Sequence, residues 1–571
     1  MDALTEKLTE TLQGDVASDA ATLDEASRDA SLFRVRPKLV IFPKNTEDVK
    51  NLVRIVTEAN HGIGKRPHFS LTARAAGTDM TGGPLTESIV VSFTRYFNHI
   101  KSVDMSADTA VVEPGVYYRD FDKATFKKGL ILPSYTASRD LNTVGGMVAN
   151  NSGGEKNLNY GKTERYILEL KMVLRDGNEY VFKRLTVPEL EEKKKLQTIE
   201  GGIYREIAEL IEKNSSIIAA AKPQVSKNSA GYYLWNVVDR DNKTFDMTKL
   251  LVGSQGTLGL ITEIKFGLVE PRTHSRMLVI FLKDMKNLGE ITKHLLTFKP
   301  ESLESYDDHT FKLAVKLFPQ MVKKMGMNVF ALGLKFMPEF WAVLTGGIPK
   351  LVILAEFTGE TDEDAYRQAI RAQKELDDLT IASPTLANPD KRVKPQLKAK
   401  VTTSSAEVQK YWTIRRESFN MLRQHVKELR TAPFIDDFVV RPDILPEFLP
   451  KLYAILDQYN ITYTIAGHVG DGNFHIIPLM DFAKPETTKI ISDLGHKVYN
   501  LIIQYKGSIT GEHNDGIIRT PFLEEMYGPK IIELFAKVKK IFDPDTIFNP
   551  GKKVGGTWDY AMKHLDTPEN K

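Results

Sequence analysis

Leu4, Leu8 and Leu12 recur at helical spacing in an otherwise polar start, so residues 1–36 read as a helical arm. Leu39-Val40-Ile41-Phe42 then forms a short unbroken apolar run, the pattern of a buried strand. Thr46-Glu47-Asp48 opens a helix whose apolar face is Val49, Leu52, Val53, Ile55 and Val56. Strands follow at His68–Leu71 and Ile89–Phe93, and another at Glu169–Leu174. This strand–helix–strand order predicts an α+β domain over residues 37–272. Within it, 185–230 reads as a charged helical insertion whose Glu189–Lys195 run faces solvent. Met277–Leu282 begins a second α+β domain, 273–500. The last segment, 501–571, is helical apart from a loop at Ser508–Arg519.

One stretch departs from the ordinary pattern. Residues 311–350 hold six lysines and one acid, Glu339, interleaved with Phe318, Met321, Met325, Phe336, Phe340 and Trp341. Two readings fit it: ordinary helices packed on the domain, or a basic amphipathic surface in peripheral contact with anionic lipid.

Composition narrows the chemistry. The 571 residues are too many for one core and imply two or three domains. A net charge of +3 gives no case for nucleic-acid binding. With no cysteine, the chain has no disulfide, catalytic thiolate or iron–sulfur ligand of its own. Redox chemistry here needs an organic cofactor, or a metal held by histidine and carboxylate. The N-terminus lacks a signal-peptide pattern, and no apolar run is long enough to span a bilayer. The expected location is cytoplasmic, or peripheral on the inner membrane face if 311–350 touches lipid.

Three loops rich in glycine and small residues fall in the first domain. The first is Arg74-Ala75-Ala76-Gly77-Thr78-Asp79, continuing to Gly82-Gly83 directly after a strand. Glycine lets the backbone turn its N–H groups toward an anion, although many such loops are plain turns. The second runs from Thr143 through Gly145, Gly146, Ala149, Asn150, Gly153 and Gly154 to Tyr160-Gly161. Small residues on both sides of a short helix let a bulky planar ligand approach. The third is Gly253-Ser254-Gln255-Gly256-Thr257-Leu258-Gly259-Leu260-Ile261. No G-x-G-x-x-G follows a strand and opens a helix, which argues against a Rossmann domain.

The second domain carries a histidine and carboxylate cluster. Thr462–Ile477 reads as strand, turn, strand, with Gly470-Asp471-Gly472-Asn473 at the turn and His468 and His475 flanking it. Two imidazoles and a carboxylate suit zinc or manganese with an open position. Glu512, in Gly511-Glu512-His513-Asn514, is the candidate third ligand, with His513 beside it. A structural histidine pair next to an exposed loop is the plainer alternative.

Together the three loops resemble the FAD-binding domain of the vanillyl-alcohol-oxidase type, and the histidine cluster resembles the substrate (cap) domain of the FAD-linked D-2-hydroxyacid dehydrogenases. The resemblance implies that the first loop holds the FAD pyrophosphate and that the other two flank the ribityl chain and isoalloxazine. It implies noncovalent FAD, because the first loop lacks the histidine to which some relatives attach the flavin. It further implies that His468, His475 and Glu512 bind the metal and that His513 is the base. Trp412-Thr413-Ile414-Arg415-Arg416 resembles the family's W-x-x-R signature, whose arginine binds the substrate carboxylate; spacing selects Arg415, with Arg416 as the fallback. Asn549, in Phe548-Asn549-Pro550-Gly551, is carried over as a flavin contact, so that the chain's end returns to the FAD domain. Two positions depart from the family pattern: Ala75 stands where glycine is usual, and Gln255 where glutamate is usual.

The implied activity is oxidation of a small D-2-hydroxy acid to the 2-oxo acid, with a metal-bound hydroxyl, His513 taking its proton, and hydride transfer to flavin N5. Ile477, where relatives with dicarboxylate substrates have a polar residue, tilts the expectation to D-lactate. The expected electron acceptor is a quinone or a separate redox partner protein. Two alternatives share the cofactor domain: a flavin transferase like alkylglycerone-phosphate synthase, and a non-catalytic FAD-binding subunit.

Overall fold

A computed structural model describes residues 2–61, 69–308, 310, 312, 348–382, 392–395, 397–425 and 429–570. Residues 313–347, which hold nearly all of the amphipathic segment, lie outside the described residues. Three sheets organise the chain. A four-stranded sheet runs in the order Asp15–Ala17, Leu39–Phe42, Ile89–Ser92, Leu71–Arg74, and the last three are parallel. Its central strands are buried on both faces, as their unbroken apolar runs require. The helix Thr46–Asn60 packs Val49, Leu52, Val53 and Val56 into that core and is capped by Asn45, whose side chain accepts from Asp48 N.

The second sheet has seven strands, from Ile100–Asp104 through Thr109–Val112, Leu260–Gly267, Ile167–Val173, Glu179–Thr186 and Thr244–Asp246 to Val238–Asp239. Leu260–Gly267 alternates buried and half-buried positions along its length, the signature of a strand with one face on a core. The third sheet orders Leu397–Val401, His274–Leu282, Leu351–Gly359, Ser302–Asp307, Thr462–His468, Asn473–Met480 and Arg430–Thr431, and Phe438–Val439 also pairs with Asn473–Met480. The helix Asp362–Asp377 covers it with Ala365, Ala369, Ala372 and Leu376. Alanines on that face let the helix backbone sit close to the sheet.

One expectation needs correction. The N-terminal 36 residues are not a purely helical arm. Between the helices Asp2–Thr11 and Ala20–Ala26, Asp15–Ala17 adds an antiparallel edge strand to the first sheet. The 185–230 insertion leaves its Glu189–Lys195 run unburied, as expected, and also has a buried face. Its helix Ile199–Lys213 buries Ile203, Tyr204, Ile207, Leu210 and Ile211 in the core of the seven-stranded sheet. Charge on the outer side of that helix masked an ordinary amphipathic face. The chain's end does return to the first sheet: Leu71 N donates to Ile547 O at 2.7 Å and Asn549 N to Leu71 O at 2.9 Å. No helix among the described residues is long and apolar enough to cross a membrane.

Candidate active site

One cavity of about 580 Å³ joins the glycine-rich loops to the histidine cluster. At one end it is lined by Arg74–Asp79, Thr143, Gly145, Gly146, Ala149, Asn150, Gly153, Gly154, Gln255, Gly256, Gly259 and Ile261. At the other stand Glu304, Arg415, Asp436, His468, His475, Glu512 and His513. Four of the expected residues do not line it. Tyr160 and Gly161 close the short helix beyond the second loop. Gly253 is turned to Val148 by its N–H, and Asn549 donates its amide to Gly83 O and Gln255 O. Gly253 and Asn549 thus hold the loops from behind.

The loops are tied to one another by side chains. Asp79 accepts from Thr81 N, Gly83 N and the Asn150 amide. Gln255 donates to Asn150 Oδ1 at 3.1 Å and accepts from Gly516 N at 2.9 Å. A neutral amide can do both, where a carboxylate only accepts, so Gln255 suits its two neighbours. The backbone N–H groups of Ala75, Ala76, Gly77 and Thr78 make no hydrogen bond among the described residues. Four adjacent donors at a cavity wall fit a pyrophosphate. The Arg74 guanidinium is turned away, to Arg28 O and Ala26 O.

At the other end a hairpin aligns the histidines. Ala466 pairs with His475 and His468 with Asn473, so both imidazoles project from one face on diagonal positions. The turn is tight because Gly472 adopts φ +67 where a Cβ would lie 1.7 Å from Val440 O. The rings sit 5.4 Å apart, nearly perpendicular. His468 Nδ1 meets Glu304 Oε1 at 2.5 Å, and His475 Nδ1 meets Asp436 Oδ1 at 3.1 Å. With each Nδ1 held by a carboxylate, Nε2 is the ligating atom. The ligand atoms of His468, His475 and Glu512 lie within 4.8 Å of one another. Asp436, His475 and His513 satisfy the same criterion. In that second set, however, Asp436 already spans the two rings, with Oδ2 2.8 Å from His513 Nδ1.

The donor chemistry suits a cation. Burial alone would discharge His468, but Glu304 raises it to about 9. Burial likewise works against a charged His513, yet Asp437 and Asp436 raise it to about 9. Glu512 is held well below the usual carboxylate range against its burial, chiefly by Lys227 and His468. This pocket of buried carboxylates favours positive charge, the environment a divalent ion requires. Arg415, on the helix Ser405–His425, lies on the cavity with Nε 3.2 Å from Glu304 Oε2. Arg416 grips Glu155 through Nε, at 3.0 Å, and through Nη2.

Sequence reasoning missed five residues here. Asp437, fully buried at φ +64, accepts from Thr510 Oγ1, Glu512 N and His513 N and so shapes the loop that carries Glu512 and His513. Asp436 spans His475 and His513. Glu304 spans His468 and Arg415. Lys227 meets Glu512 Oε1 at 2.6 Å and Asp471 at 3.2 Å, and the fully buried Arg519 donates to Asp436 O and Asn514 O. The available signal was two acids inside the apolar run Phe434-Ile435-Asp436-Asp437-Phe438-Val439, because buried carboxylates demand partners.

Known protein families match both parts of the chain that meet at this cavity. Residues 37–182 match the FAD binding domain family, and residues 272–553 match the FAD linked oxidases, C-terminal domain family. A D-2-hydroxyglutarate dehydrogenase of Haemophilus influenzae is 26% identical over 95% of this chain and 50% of its own. A D-lactate dehydrogenase of Archaeoglobus fulgidus is 25% identical over 94% of this chain and 96% of its own. The chain spans about half the length of several curated relatives that it matches. Among solved structures, the 4-ethylphenol oxidase from Gulosibacter chungangensis superposes with a TM-score of 0.65 at 15% identity, covering 98% of each chain, a likeness of fold.

Proposed function

Because the chain belongs to the FAD-linked oxidase flavoproteins of the vanillyl-alcohol-oxidase type, we propose that it dehydrogenates a short D-2-hydroxy acid, D-lactate favoured, to the 2-oxo acid. The observation that carries this reading is the continuous cavity, which brings the glycine-rich loops and the His468–His475–Glu512–His513 cluster to one space. The loop N–H groups of Ala75–Thr78 would hold noncovalent FAD, and His468, His475 and Glu512 would hold zinc or manganese. Bound there, the flavin supplies a two-electron acceptor and the ion a Lewis acid for the substrate hydroxyl.

The chain's own groups do the rest. Arg415 binds the substrate carboxylate and fixes the orientation of C2. His513 would accept the hydroxyl proton at its imidazole, held in place by Asp436 and by the backbone anchor at Asp437, once a divalent ion on the neighbouring ligands offsets the carboxylates that raise its pKa. Thr431, Thr464, Ala466 and Ile477 line the cavity near the histidines, and none bears charge. Among the described residues the cavity's other arginines are engaged elsewhere, Arg416 by Glu155, Arg74 by Arg28 O and Arg139 over the Tyr135 ring, which favours D-lactate over a dicarboxylate. The electron acceptor is a quinone or a separate redox protein, since the chain has no cysteine for an iron–sulfur centre of its own.

Anaerobic titration tests the reading. D-lactate is expected to bleach the flavin and L-lactate to leave it yellow, with D-2-hydroxyglutarate bleaching less readily. A chelator, or His513→Ala, should abolish the bleaching. A yellow protein that no 2-hydroxy acid bleaches would overturn the proposal in favour of a transferase or a non-catalytic flavin subunit.

A further inference from the structure

Glu304 sits in the strand Ser302–Asp307, next to the histidine hairpin in the eight-stranded sheet. Only 1% of it is exposed, yet it borders the cavity. A buried carboxylate is costly unless both oxygens are engaged. Here Oε1 meets His468 Nδ1 at 2.5 Å and Oε2 meets Arg415 Nε at 3.2 Å. The first contact fixes the tautomer of His468, leaving Nε2 to face Glu512 Oε1 at 3.3 Å. The second fixes the near end of the Arg415 guanidinium at the cavity wall. A 2-hydroxy acid carries its hydroxyl and its carboxylate on adjacent carbons. A hydroxyl-binding metal and a carboxylate-binding guanidinium must therefore keep a set separation.

We propose that Glu304 is the positioning residue that sets this separation, by holding a metal-ligating histidine and the substrate-binding arginine on its two oxygens. The inference rests on the hydroxy-acid reading of the site. Glutamine cannot replace Glu304. The Nδ1–H of His468 needs an acceptor and the Arg415 guanidinium an opposite charge, and an amide offers one acceptor oxygen and no charge where the carboxylate offers two oxygens and the charge. If the amide NH₂ faces His468, it enforces the tautomer whose Nε2 is protonated and cannot ligate. If it faces Arg415, the guanidinium loses its counter-charge.

The test uses the FAD-loaded protein carrying Glu304→Gln or Glu304→Asp. Zn²⁺ affinity is read by competition with a colorimetric chelator. Oxalate affinity is read from the flavin spectrum. Flavin content and Tm show whether each variant is folded. Glu304→Gln is expected to keep its flavin, to lose about 10–100-fold in Zn²⁺ affinity, to bind oxalate more weakly, and to raise KM for D-lactate more than it lowers kcat. Glu304→Asp keeps the charge but is one methylene shorter, so it should restore at most one of the two affinities. Unchanged Zn²⁺ and oxalate affinities in Glu304→Gln would overturn the positioning role and leave the hydroxy-acid reading standing. A wild-type protein that binds no Zn²⁺ would overturn both. Loss of flavin in both variants would show a structural ion pair instead and overturn the inference.

Discussion

Asp29 approaches the first glycine-rich loop with a carboxyl whose Oδ2 is sealed from solvent. Burial, and then the nearby Asp79, raise it from 3.8 to about 7, against hydrogen bonds from Ser31 that favour the charged form. The folded state therefore holds this proton more tightly than the unfolded chain does. Its stabilising effect is complete below pH 3.8, fades as the pH rises, and is gone above about 7. Asp29→Asn removes the charge but keeps an acceptor for Ser31. It should raise Tm at pH 8, with the gain shrinking toward pH 5. Equal gains at both pH values in a thermal melt would show that Asp29 is not the group titrating. Nothing in the local sequence announces this behaviour. Asp29 looks like one more acid in a polar start, and Asp79 lies 50 positions away.

Two adjacent glycines in the short helix Val144–Asn150 make a sharper test at the level of an element. A Cβ on Gly145 would lie 2.5 Å from both Pro114 O and Pro114 Cβ, whereas one on Gly146 meets nothing nearer than Ala75 Cβ at 3.5 Å. Gly145→Ala forces backbone apart and should cost about 1–3 kcal/mol in Tm-derived stability even without flavin. Gly146→Ala should leave the apoprotein's Tm unchanged yet lower its flavin content, because the added methyl enters the cavity near the first loop. Equal flavin content in wild type and Gly146→Ala would remove that loop pair from the cofactor site. Elements with a clean period were legible in sequence: the Leu39–Phe42 strand, the Thr46–Asn60 helix and the Thr462–Met480 hairpin. So was the histidine pairing, because a hairpin places residues on either side of its turn by count alone. Asp15–Ala17 was not, being too short to show a period, and its strand character comes from pairing with Leu39–Phe42. Glu304 and Asp436 were not either. Glu304 finds His468 across 164 positions and Asp436 finds His475 across 39, and no local pattern encodes contacts made by sheet order.

Across the molecule, the C-terminal segment is what locks the two halves around the cavity. Lys553 and Asp515 form a fully buried pair at 2.8 Å. Lys553 also donates to Ser229 O and Gly231 O, and Asp515 accepts from Gly231 N. One ammonium thus joins the chain's end, the loop after Glu512 and His513, and the Lys227–Gly231 stretch behind the proposed metal ligands. Burial pushes the lysine down and Asp515 opposes it, so each charge depends on the other. Lys553→Met should strand Asp515 and cost about 3–5 kcal/mol, far more than a surface ion pair of the same length. Because Asp515 follows the active-site loop directly, flavin content and Zn²⁺ affinity should fall with Tm. Pairing Lys553→Met with Asp515→Asn should recover part of the loss, since no buried charge is then left alone. A Lys553→Met protein as stable as wild type would mean that backbone pairing at Leu71, Ile547 and Asn549 suffices to hold the chain's end. The cavity would then owe its shape to the first sheet, and this buried ion pair would add nothing to it.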